Sequence, residues 1–110
     1  MTTLAAVDAF CRGLPGTGFV IQWGGAHVHK VGGKVFAIGG EDGVVFKATS
    51  LSYTLLLEQG LGTRAPYLPR GNWVRVAALP EDELLAYLGE SYRLVAASLT
   101  RAVRRELGLG

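Results

Sequence analysis

One cysteine in 110 residues leaves Cys11 nothing to pair with inside the chain. An internal disulfide framework is excluded, and cysteine usage of this kind fits a cytoplasmic address. Two histidines and that one thiol also fall short of the Cys/His sets that hold structural zinc. No apolar run approaches the ~20 residues of a membrane span, so no membrane partner is expected. The opening MTTLAAVDAFCRGLPG places Asp8 in its middle and has no basic stretch ahead of an apolar one, unlike a secretory leader. Charge is sparse as well: charged residues make up 18%, the formal net charge is +2 and the pI is about 8.9. That excess is milder than the one a dedicated DNA-binding domain usually carries.

What the chain does have is apolar content, 49%, and glycine, sixteen residues. Such a composition is not that of a disordered chain. The length suits one domain over residues 1–110, which buries roughly two-thirds of its unfolded surface. The stretch HKVGGKVFAIGGEDGVVFK, His29 to Lys47, holds five of the glycines and raises the question of a phosphate loop. A Walker A loop needs a glycine five positions before its Gly-Lys and a hydroxyl after it. Here Val28 and Val35 occupy those places, and a strand pattern follows where a helix is required. The glycines therefore read as turns between strands over Phe19–Trp23, His27–Val31, Lys34–Ile38 and Val44–Ala48, with Gly32-Gly33 as a hairpin turn.

Around that meander the spacing predicts helices. Thr3 to Gly13 carries Leu4, Val7, Phe10, Cys11 and Leu14 on one stripe, with Thr2 or Thr3 as its cap. Cys11 thus points inward and is inert. Thr49 to Gln59 reads as a short helix ended by glycines. Thr63 to Gly71 reads as an irregular loop held by two prolines, and Asn72 to Ala77 as a last strand. Pro80 opens a long helix whose first turn holds Glu81, Asp82 and Glu83, at the positive dipole end. Its stripe runs Leu84, Leu88, Tyr92, Val95, Leu99, Val103 without interruption, with Gly89 as a candidate bend. Arg101, Arg104 and Arg105 suit a helix C-terminus. The fold class is α+β: an antiparallel meander flanked by an N-terminal helix and a long C-terminal helix.

Few residues offer chemistry. His27 and His29 share one face of a strand, a spacing that suits a metal only with a third ligand, for which Glu41 or Asp42 are the nearest candidates. Without one they are half-exposed strand histidines. The serines sit in no nucleophile-elbow context, the acidic cluster is explained by capping, and no catalytic residue, cofactor or metal is assigned. The remaining constellation is basic and aromatic: Lys30, Lys34 and Lys47 at the hairpins, and Arg64, Tyr67, Arg70, Trp73 and Arg75 along the proline loop and last strand. If Val74 and Val76 face the core, Trp73 and Arg75 share the opposite face. Cations there would meet phosphate, and an exposed aromatic would stack or wedge. The alternative is a Trp73 packed into the body of the protein.

The segments VGGKVFAI (Val31 to Ile38), APYLPRGNWVRV (Ala65 to Val76) and LPEDELLAYLGESYRLV (Leu79 to Val95) resemble the MmcQ/YjbR family of small bacterial proteins. The resemblance implies a compact α+β fold of frataxin-like or double-wing type and a DNA-binding label that rests on likeness of fold. It carries no agreed catalytic residues. Relatives often have lysines just before the tryptophan, where this chain has Pro69, Arg70, Gly71 and Asn72. The first expectation is a protein that binds double-stranded DNA through the eight basic and aromatic residues, with about five phosphate contacts. The alternative is a protein-interaction or small-ligand module that uses an exposed sheet face around Trp73.

Overall fold

A computed structural model of the chain describes residues 4–65 and 71–109. The elements run α1 (Leu4–Arg12), β1 (Thr17–Gln22), β2 (Ala26–Val31), β3 (Lys34–Gly40), β4 (Gly43–Lys47), α2 (Ser50–Glu58), β5 (Gly62–Arg64), β6 (Trp73–Val76), α3 (Glu81–Ala97) and α4 (Arg101–Glu106). The strands form one antiparallel sheet in the order β1-β2-β3-β4-β6-β5. The first four are the expected meander. Gly32 and Gly33 both take positive φ, as a two-residue turn between β2 and β3 demands. No helix among the described residues is long and apolar enough to cross a membrane.

All the helices that touch the sheet lie on one face. Tyr87 of α3 stacks on Phe46 of β4 at 5.4 Å, and Ser91 donates to the Phe36 carbonyl at 2.7 Å while accepting the Lys47 amide at 2.9 Å. A buried hydroxyl thus joins α3 to two strands at once. Asp8 of α1 bonds to β2, and at Gly89 of α3 a Cβ would stand 3.6 Å from the Phe10 ring, an ordinary van der Waals contact, so α1 and α3 meet there without needing the glycine. The helix runs through the candidate bend from Glu81 to Ala97. Val44, Phe46, Val74 and Val76 line this covered face with Phe36, Ala37, Leu88 and Val95.

Most element ends fall within a residue or two of the sequence reading, and three differences have consequences. The long helix ends at Ala97, and α4 begins anew because the Thr100 hydroxyl caps it, accepting the Val103 amide at 3.2 Å. The apolar stripe survives the break, so spacing alone did not reveal it. The proline loop begins with a short strand, β5, which Gly62 permits: a Cβ there would meet Val74 Cγ2 at 2.5 Å. Finally, β1 starts at Thr17 and stops at Gln22, leaving Trp23 outside the strand. The cap expected at Thr2 or Thr3 falls outside the described residues.

Candidate functional site

The sheet's second face carries no helix among the described residues. Register places one row of side chains straight across it: Val20 opposite Val28, Val28 opposite Ile38, Ile38 opposite Val45, and Val45 opposite Arg75. Four apolar residues on four strands thus lead to a guanidinium. Lys30 and Lys47 lie on the same face, one row nearer the opposite end of the strands. A groove of roughly 460 Å³ runs along the other flank, lined by Trp23, Ile38, Val45, Arg75 and the Gly40–Gly43 turn.

Trp23 stands at the lip of this groove with 64% of its surface exposed. Its φ is 54°, and among the described residues it is the one non-glycine with positive φ. A bulky side chain in the left-handed region costs of order 1–3 kcal/mol, and such residues cluster at functional sites. Gly24 and Gly25 follow with φ of 78° and 112°. The chain therefore holds an indole outward on strained backbone beside an apolar strip.

The residues singled out from sequence do not gather into one site. Lys30, Lys47 and Arg75 are half-buried on the open face. Lys34 sits on the covered side, its Nζ 3.4 Å from Ser98 Oγ of α3's end, and Arg64 donates to the Tyr53 hydroxyl of α2 at 3.3 Å. Tyr67 and Arg70 lie outside the described residues. Trp73 does share the open face with Arg75, as Val74 and Val76 turned inward require, but only 8% of it is exposed. Gly71 backs onto its indole: a Cβ would stand 3.3 Å from Nε1. The exposed tryptophan is Trp23 instead. Its signal was the Trp-Gly-Gly run, where positive φ is cheap for the glycines but not for their neighbour.

A second cluster lies under α1. His27 Nδ1 donates to Asp8 Oδ2 at 2.6 Å, and His29 Nε2 donates to Oδ1 at 2.8 Å. The third partner is thus Asp8, not Glu41 or Asp42. His29 is fully buried, with Phe19 stacked on its ring at 5.0 Å, rather than half-exposed. With Nε2 donating, its Nδ1 is a bare acceptor that meets no partner. Burial holds the ring's pKa below its ordinary value, against the pull of the Asp8 carboxylate. On α1, burial and then the same carboxylate push the Cys11 thiol up to about 12. Cys11 is inert, as its inward position implied.

A family model described as YjbR matches residues 12–94. The chain belongs to the YjbR family. None of the curated proteins compared with it matches. The matched segment spans the whole sheet and both histidines and begins after Asp8. In this YjbR protein the histidine cluster is built to fasten α1 to β2. With His29 sealed from solvent, no substrate atom reaches its ring. Among the described residues no group of three or more His, Cys, Asp and Glu side chains is placed to hold a metal ion. The open face, in contrast, presents a projecting indole at Trp23, the partly exposed Val20 and Ile38, and three half-buried cations, while Val28 and Val45 of the apolar row are closed to solvent.

Proposed function

We propose that this YjbR protein is a non-catalytic cytoplasmic binding module whose open sheet face grips another protein, with Trp23 as anchor. The supporting observation is Trp23 itself: an exposed indole on strained backbone, beside the Val20–Val28–Ile38–Val45 row. A projecting tryptophan with the partly exposed Val20 and Ile38 near it and arginine on the same face is the composition of a protein interface with a few dominant contacts. Arg75, Lys47 and Lys30 then favour acidic groups on the partner.

The test is a photo-cross-linking amino acid placed at Trp23 in cells that express the protein naturally. Discrete protein adducts are expected from this position and not from Leu51, which is 70% exposed on α2. Introducing Arg75→Glu should reduce their yield. No adduct above the Leu51 background overturns the reading.

Double-stranded DNA is the second reading, favoured by the three cations on one face. Three phosphate contacts give a log–log salt slope near −2.7, so affinity for a mixed-sequence duplex should fall ~40-fold between ~50 and ~200 mM salt. Fluorescence anisotropy reads this directly. Binding absent at the lower salt, or insensitive to salt, sinks it.

A further inference from the structure

Sheet edges are templates for pairing, and proteins guard them with charge, proline, bulges or brevity. The two edges of this sheet are treated differently. β5 is three residues long and ends in Arg64. β1 is six residues, TGFVIQ, with no charge and no proline, and its register with β2 is unbroken from Thr17 to Gln22. Its side chains are also bare: Val20 is 40% exposed and Ile21 56%. One edge is guarded and the other is left open.

The geometry points to a symmetric dimer in which β1 pairs antiparallel with β1 of a second copy, the twofold axis passing through Val20. In an isologous contact residue i meets j and j meets i. Antiparallel partners directly opposite share a sheet face, so the axis at Val20 puts Phe19 against Ile21 of the second copy and Gly18 against Gln22. Phe–Ile is an aromatic–β-branched cross-strand pair, a favourable class. The same axis sets Val20 against Val20, so the apolar row of one copy continues into that of the other. It becomes one strip across both sheets, with Arg75 beyond each end. A neutral strand meets its own copy with no like charges opposite. Arg12, whose guanidinium lies 5.2 Å from the Phe19 ring centre, falls on opposite sides of the axis in the two copies. Self-pairing therefore satisfies the edge amides and carbonyls and covers Val20 and Ile21 together.

Sedimentation velocity of the full chain from ~1 to ~100 μM should show a concentration-dependent dimer. Val20→Lys places two ammonium groups face to face on the axis and should raise the dissociation constant roughly tenfold or more. Val20→Cys gives an independent reading. Opposed Cβ atoms on the axis are near enough to bridge. With oxidised glutathione, two such thiols form one intermolecular disulfide while the glutathione is reduced. Gln22→Cys faces Gly18 and should stay unlinked, and Cys11 is too buried to compete. A monomer throughout the range, a dimer indifferent to Val20→Lys, or equal linking through Gln22→Cys would each overturn the assignment.

Discussion

The two faces of the sheet are made from alternate residues of the same strands, and they solve different problems. On β4, Val44 and Phe46 turn toward α3 while Val45 and Lys47 turn away. The covered face packs large rings, Phe36, Phe46 and Tyr92, and buries a polar cluster that ties down α1. The open face uses small β-branched side chains that shelter one another. Val28 and Val45 are nearly inaccessible there, yet no described helix lies over them. Low exposure thus has two origins: enclosure between layers and close neighbours within one layer. Only the first leaves a cavity when a side chain is cut away.

That distinction gives the largest expected effect. Phe46→Ala should cost about 3–5 kcal/mol in urea unfolding, because the hole beneath Tyr87 cannot fill. Val45→Ala removes two methyl groups but opens no enclosed void, so about 1–2 kcal/mol is expected from transfer alone. Similar losses, once scaled for size, would mean that both faces are enclosed, and the proposed binding face would be lost with the comparison.

The covered face is also where pH should act. His29 is neutral in the fold with its pKa lowered from 6.5 by burial. The unfolded chain therefore takes up this proton first as pH falls, and it then binds more protons than the native state. The contribution of His29 is complete above the unfolded value and is lost as pH drops below about 6.5, by at most ~1.4 kcal/mol per unit. The charged and titratable groups that act on it are Asp8 and Arg12 of α1, and His27 beside it on β2. His29→Phe, which keeps a ring between Phe19 and Phe36, should flatten the stability profile between pH 7 and pH 5. An unchanged slope would place the pH dependence elsewhere. Asp8→Ala at pH 8 strips both ring N–H groups of their acceptor and should cost about 1–3 kcal/mol. It acts on α1 alone and leaves the open face intact.

Much of the covered face was legible in the chain. Glycine pairs marked the turns, alternation marked the strands, and the 3.6-residue stripes marked α1 and α3. The fold class followed from these. The helix break at Thr100 was hidden because Leu99 and Val103 keep the stripe while a single hydroxyl starts a new helix. β5 was hidden because three residues carry no period. The Asp8 bridge joins residues 19 and 21 positions apart in the chain, and no local pattern reports a contact of that range. The open face was read half correctly: alternation placed Arg75 and Trp73 on it, but alternation says which way a side chain points and not whether something stands over it. Trp73 is covered and Trp23 is bare.

Trp23 supplies the smallest and sharpest effect. Its left-handed backbone costs of order 1–3 kcal/mol, which glycine would relieve. Against this stand about 0.5–1 kcal/mol of extra unfolded-chain entropy and the loss of whatever apolar surface the indole now covers. With 64% of the residue in solvent, that last cost is small, and Trp23→Gly should leave stability unchanged or raise it by up to about 1 kcal/mol. Most large-to-small substitutions do the reverse. A residue that weakens its own fold and packs against little suits the anchoring role proposed for Trp23. Urea unfolding of Trp23→Gly decides the matter: a loss above about 1 kcal/mol would show the indole packing on the sheet, and the contrast between a closed face and an open one would fail at its most exposed point.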